Sequence, residues 1–462
     1  MARMWRGKEV AMSEYLTRLS EFAEGLRFQE LPSHVVTRAK EVLADTLAVI
    51  AAGAQEPEVL EMSRRLVPRP GNGPATLLGQ GYRVDVLNAS LVNGTAGTFL
   101  ELDEGNQFAR GHPAIHVVPA VLAVAEAEGF GGEAVIVALV LGYEIGARVG
   151  IASRIRMSMH PHGTWGTVGA AVAVAKLYGC DASAMREIIN VSSSLGLATS
   201  RRTMLEGGTV RNVYSGVSNQ MGVVAHRLVA SGFTGEADGL STVYGGVVSE
   251  TFSPEAMTEQ LGERYEISRN YFKRHACCRY NHSALDNLQV IVSRLPGGRI
   301  LPDQVERVEV ETYSLAAQLC DQSPKNMLAA KFSIPFAVAT YLVNGETGVR
   351  AFRPQQVANQ TVQALAKRVI VKEDPALTAM MPARRPSRVR LFMKDGTIHE
   401  AETHLNKGDF EDPYSPDELR RKYFELASPV WGEAVAEALY EDVSRLEDVQ
   451  DIRRVTDRLI HG

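Results

Sequence analysis

The chain has 462 residues, enough for two domains, and its 45% hydrophobic and 22% charged content is that of a globular protein, not of a disordered or fibrous one. Its 49 Lys and Arg stand against 54 Asp and Glu, a formal charge of -5 with no long basic run, so the positive field that nucleic-acid binding needs is missing. The N-terminal MARMWRGKEVAMSEY lacks the apolar core of a signal peptide, and the longest apolar run, Ala134 to Leu141, falls far short of the roughly 20 residues of a membrane span. A cytoplasmic location with no membrane partner is expected. Four cysteines, Cys180, Cys277, Cys278 and Cys320, include no CxxC pair and are expected to be mostly buried thiols.

From Ser13 to about Ser231 apolar residues recur at helical spacing, as in EYLTRLSEFAEGL and HVVTRAKEVLADTLAVIAAG, and strand signals are nearly absent. EAVIVALVLGYEIGARVG and GTVGAAVAVAKLYG are so rich in small residues and so poor in charge that they predict helices buried on most sides and packed closely. Between such helices lies ELDEGNQFARGHPAIH, residues 101–116, with Glu101, Asp103 and Glu104 following a helix that Gly105 is expected to end, and with His112 beyond a short polar loop. A carboxylate beside an imidazole sets its tautomer, as acid/base chemistry requires; a solvated helix end with a capping histidine fits the stretch equally. His112 and His116 are four apart, like a helical metal pair, but Pro113 intervenes and there is no HExxH, so a metal-dependent hydrolase rests on these two alone.

HPHGTWG places His160 and His162 before a helix N-terminus, where an anion is favoured or a plain capping turn suffices. GGTVRNVYSG offers Arg211 and Tyr214, and FKRHACCRYNH offers Lys273, Arg274, His275, Arg279 and His282 as carboxylate clamps or as interdomain salt bridges. After about residue 270 the pattern changes. VERVEVETYS alternates with strand period, and SRVRLFMKDGTIHEAET reads as two strands joined by Asp395-Gly396. AAKFSIPFAVATYLVNG and PQQVANQTVQALAKRV, between them, read as helices. Beyond Pro413 the chain is helical again, opened by Ser415 and Pro416. GNGPATLLGQG is too loose for a dinucleotide fingerprint, and GxxxxGK[ST] and GxSxG are missing. Histidines, one aspartate and a set of cations remain, the equipment for moving protons on a carboxylate-bearing small molecule without a cofactor.

These segments, with ASGFTGEADGL and NKGDFEDPYSPDELRRKYFELA, resemble the MmgE/PrpD family in order along nearly the whole chain. That family includes 2-methylcitrate dehydratase, cis-aconitate decarboxylase and iminodisuccinate epimerase. The resemblance implies a mainly α protein: a large all-helical domain, residues 1–270 with 405–462, and a smaller α+β lid domain, 271–404, inserted before the C-terminal helices. It also implies a homodimer with its active site between the domains. The family's catalytic positions match Asp103, His112, His160 and His282, with His162 at a variable position.

Other positions depart from the family pattern. LDFDDTH reads LELDEGN, so Glu101, Glu104 and Asn106 are replacements; a lysine becomes Arg211, a histidine Tyr214 and a tyrosine Phe336. A lysine can serve as a base and an arginine cannot, which casts Arg211 as a carboxylate anchor. The resulting expectation is a cofactor-independent and metal-free lyase acting on a small di- or tricarboxylate, with dehydration ranked first, epimerisation second and decarboxylation third. His112 and His282 form the acid/base pair, Asp103 orients His112, and His160 bonds the substrate. Arg211, Tyr214, Lys273, Arg279, His162 and Lys331 bind it. A catalytically silent carboxylate-binding relative is the non-enzyme alternative.

Overall fold

Small side chains let the central helices approach backbone to backbone. The computed structural model describes residues 2–67 and 73–460, and in it Pro113–Glu128 packs against Val86–Phe99, Gly132–Ala152, Gly166–Leu177 and Tyr214–Ala230. A Cβ on Gly142 would stand 2.7 Å from the Gly169 carbonyl oxygen, so only glycine admits this contact. Gly132–Ala152 is long and apolar enough to cross a membrane, and it is buried among its neighbours here. Pro119 interrupts Pro113–Glu128 and has no N–H for the Ile115 carbonyl. Asn219 repairs the gap: its Nδ2 donates to that carbonyl at 2.7 Å and its Oδ1 accepts from Ala120 N–H at 2.9 Å.

Ser33–Gly53 lies between Val86–Phe99 and the C-terminal helix Pro416–Trp431, which opens with a reciprocal Ser415/Glu418 capping box. The C-terminal region holds a four-stranded mixed sheet in the order Ile398–Thr403, Ser387–Met393, Val305–Thr312, Val369–Glu373. The first two pairings are antiparallel and the last is parallel. Val305, Val308, Val310 and Thr312 face the core, while Arg388 and Arg390 reach Glu311 on the other face. The helix His282–Ser293 packs on the hairpin strands and on Ile334–Asn344.

Four readings of the sequence need correction. The region before Ser231 contains a short hairpin, Ala75–Leu77 with Tyr82–Val84. The segment read as one helix from Pro354 splits into Pro354–Val357 and Gln360–Ala366, because Asn359 caps the second piece, and Val369 begins a strand. The cysteines are not mostly buried: Cys277 is, Cys180 and Cys278 are partly so, and Cys320 is exposed. Finally, the helix before the acidic stretch ends at Phe99, not at Gly105. Glu101 then takes the left-handed conformation (φ 56°) that usually falls to glycine at this place, at a cost of about 1–3 kcal/mol.

What holds this strained exit is a set of buried ammonium groups. Lys331 Nζ donates to the Phe99 carbonyl at 2.7 Å, Lys273 Nζ to the Glu101 carbonyl at 3.1 Å, and Lys422 Nζ to the Leu102 carbonyl at 2.9 Å. A helix end leaves its last carbonyls without partners and carries partial negative charge, so cations bind there. Lys422 also pairs with Asp45 at 2.6 Å, both almost fully buried. Lys422→Met strands the Asp45 carboxylate and is expected to cost about 3–5 kcal/mol in urea unfolding. Adding Asp45→Asn should recover part of the loss. A single-variant loss below about 1 kcal/mol would show that the pair does not hold the exit.

Candidate active site

The acidic stretch is folded by its own side chains. Asn106 Oδ1 accepts from Phe108 N–H at 2.9 Å and Ala109 N–H at 3.0 Å, its Nδ2 donates to the Glu266 carbonyl, and Gly105–Asn106 pairs with Asn270–Tyr271. The replacement Asn106 therefore shapes the loop that leads to His112. Glu104 accepts from Ala114 N–H at 2.9 Å, capping the helix that starts beyond His112, and from Tyr143 Oη at 3.1 Å. Burial pushes the Glu104 carboxyl up to about 8.

His112 Nδ1 lies 2.6 Å from the Glu104 carbonyl and 3.0 Å from Asp103 Oδ2. Both neighbours are acceptors, so Nδ1 carries the hydrogen and Nε2 keeps its lone pair, on a ring that lines a narrow cavity of about 50 Å³. Burial, followed by the charge of Lys273, holds the His112 pKa well below the ordinary imidazole value. His160 has the opposite tautomer. Its Nδ1 accepts from His162 N–H at 3.1 Å, which leaves Nε2–H as a donor on the same cavity. His162 sits between the two rings, 4.8 Å from His112 and 4.9 Å from His160 by centroid, and its Nε2 takes a hydrogen bond from Arg211 at 3.3 Å.

The metal pair read from spacing does not form. His116 uses Nδ1 on the His112 carbonyl at 2.7 Å and Nε2 on Gly163 N–H at 3.3 Å, so neither nitrogen is left for a ligand. A different trio, Asp103, His112 and His162, brings one ligand atom each within 4.8 Å of the others. Positive charge already stands there: Lys273 Nζ is 3.3 Å from Asp103 and Arg211 adjoins His162. The donor set is thus better matched to a proton than to a divalent ion.

Of the remaining expected residues, Arg211 and Arg279 line the cavity, Arg211 paired with Glu101 and Arg279 with Asp409 at 2.5 Å. Lys273 lies behind the wall, fully buried; burial lowers its pKa, but Asp103 and Glu101 outweigh burial and hold it raised. Tyr214 is buried with its ring 6.4 Å from that of His160, off the cavity wall. Two further residues stand apart from the cavity. His282 is fully buried, its Nδ1 accepting from Arg279 at 2.9 Å and its Nε2 facing the Cys277 carbonyl at 3.4 Å, so no ring nitrogen reaches a ligand. Lys331 faces a separate cavity of about 580 Å³, and burial lowers its pKa to about 8. Phe336 is buried against Phe352.

Sequence reasoning missed Arg201, Arg385 and Tyr271 in the wall. Arg201 is set there because its N–H bonds the Ser158 carbonyl and Thr199 pairs with His160, joining two loops far apart in sequence. Arg385, just before a sheet strand, bonds the Gln107 carbonyl at 3.2 Å and stacks 5.5 Å from the Tyr271 ring. A larger cleft of about 930 Å³ is lined by Leu100, Leu102 and Lys422; the histidine on its wall, His275, is engaged by Thr347 and Asp286.

Known proteins match this chain along its length. The chain is 24% identical to the cis-aconitate decarboxylase-like protein oryM of Aspergillus oryzae, over 94% of this chain and 95% of that one. It is 23% identical to a cis-aconitate decarboxylase of Aspergillus terreus over 97% and 94%, and 24% identical to that of Mus musculus over 95% and 91%. Residues 17–260 match the MmgE/PrpD N-terminal domain and residues 275–448 the MmgE/PrpD C-terminal domain. With both domain models matched in order, the chain belongs to the MmgE/PrpD family.

Proposed function

We propose that the protein is a lyase that removes a proton next to a carboxylate of a small di- or tricarboxylate and eliminates a β-hydroxyl as water. The observation that carries this reading is the opposed tautomers of His112 and His160 on one cavity. His112 Nε2 takes the proton, the carbon's electron pair forms the double bond, and the hydroxyl leaves as water with the proton of His160 Nε2–H; the imidazolate left on His160 is balanced by the nearby Arg211 and Arg201 charges until the proton held by His112 returns to it. Asp103 stabilises the imidazolium that forms on His112, and guanidinium groups in the wall stabilise the developing enolate.

Decarboxylation is the second reading, favoured by the names of the relatives. It needs no base: carbon dioxide departs and a donor such as His160 protonates the carbon left behind. A base oriented by the Glu104 carbonyl, with the Asp103 carboxylate beside it, on the same cavity as that donor favours elimination. Proton NMR in heavy water, with a panel of hydroxy-, amino- and unsaturated di- and tricarboxylates, separates the outcomes. Vinyl signals from a saturated hydroxy acid are expected; deuterium exchange without loss means epimerisation, and a shortened carbon skeleton means decarboxylation.

His112→Ala is expected to lower kcat/KM by about 10²–10⁴-fold with the circular dichroism spectrum unchanged, and an unaltered rate would remove His112 from the mechanism. The pH profile follows from the same group. The base works only when neutral, and its lowered pKa keeps it neutral as pH falls through about 6.5. The acidic limb of kcat/KM should therefore lie below that value. A limb at or above it would point to another base.

A further inference from the structure

Cations outnumber carboxylates in the wall of the cavity, and the pairings decide which of them remain for a ligand. Arg211 is taken by Glu101, Lys273 by Asp103 and Glu101 at 3.3 and 3.6 Å, and Arg279 by Asp409. Among the described residues, Arg201 and Arg385 line the cavity without a carboxylate partner. Arg201 Nε and Nη2, one edge of the guanidinium, make no hydrogen bond, and neither do Arg385 Nε and Nη1. The Arg201 edge is a fork that receives a carboxylate through two hydrogen bonds, whereas Arg385 Nε and Nη1 point to different sides and offer one hydrogen bond each, Nη2 being held by the Gln107 carbonyl. Arg110 stands at the mouth and is exposed, where water screens its charge.

Building on the carboxylate reading above, we infer that the substrate is a dicarboxylate, held by Arg201 and Arg385, and that Glu101 sets this limit by occupying Arg211. A third carboxylate would enter a wall whose other buried cations are already neutralised, and an unpaired buried carboxylate is strongly disfavoured. Glu101 cannot swing away to release Arg211. It is 1% exposed, its backbone is in the left-handed region, and Lys273 holds its carbonyl. Specificity here comes from an internal anion competing for the cation that a tricarboxylate would need.

Calorimetric titration with succinate and tricarballylate, neither of which carries a hydroxyl to eliminate, reads the preference without turnover. Succinate is expected to bind the wild type about tenfold or more tighter than tricarballylate, and Glu101→Gln to move that ratio about tenfold or more toward tricarballylate. Tighter tricarballylate in the wild type, or a ratio that Glu101→Gln leaves in place, overturns the inference. If Glu101→Gln does not fold, Arg201→Met and Arg385→Met carry the test: each should weaken succinate about tenfold or more, and affinity that survives both overturns the assignment. Succinate binding with no turnover across the panel overturns the lyase reading and leaves this one standing. Turnover with a tricarboxylate preference does the reverse.

Discussion

The candidate site depends on three buried ammonium groups seated on the carbonyls of Phe99, Glu101 and Leu102. A helix that ends inside a protein must find donors for its last carbonyls. Lys331, Lys273 and Lys422 come from three distant parts of the chain and converge on one turn. They stabilise a left-handed glutamate at the helix exit, and that conformation places Glu101 and Asp103 where they meet Arg211 and His112.

The second organising constraint is desolvation. Burial keeps His112, His160 and His162 neutral, so their roles are set by hydrogen bonding and not by charge. Acceptors next to His112 Nδ1 and a donor next to His160 Nδ1 give the rings opposite hydrogen-bonding capacity at Nε2. Identical side chains thereby present a lone pair and an N–H to one cavity, as the proposed base and acid require. Lys273 and Arg211 are neutralised by Asp103 and Glu101, which the same turn holds in place.

How much of this the sequence revealed depended on whether the signal was local. His112 stands at a helix start and His160 in the turn that leads to one, both within short motifs, and they do line the cavity. The hairpin around Asp395-Gly396 and the capped helix at Ser415 were legible for the same reason. His282 lies in an equally suggestive motif, but its ring turns inward to orient Arg279, and no local pattern distinguishes a ring facing a ligand from one facing a neighbour. Arg201 and Arg385 were illegible because each belongs to an Arg-Arg pair in a loop with no motif around it, and only long-range pairing brings it to the wall. The strand Val369–Glu373 was hidden for a related reason: a parallel edge strand needs its distant partner to declare itself.

Residues 100–103 alternate in direction. Leu100 and Leu102 face the larger cleft, while Glu101 lines the candidate site and Asp103 reaches His112. Two-residue alternation ties side to position, as it does in a strand. One residue gained or lost between Phe99 and Gly105 would turn the carboxylates toward the cleft and the leucines toward the histidines. The number of residues in this segment is therefore as tightly constrained as their identity.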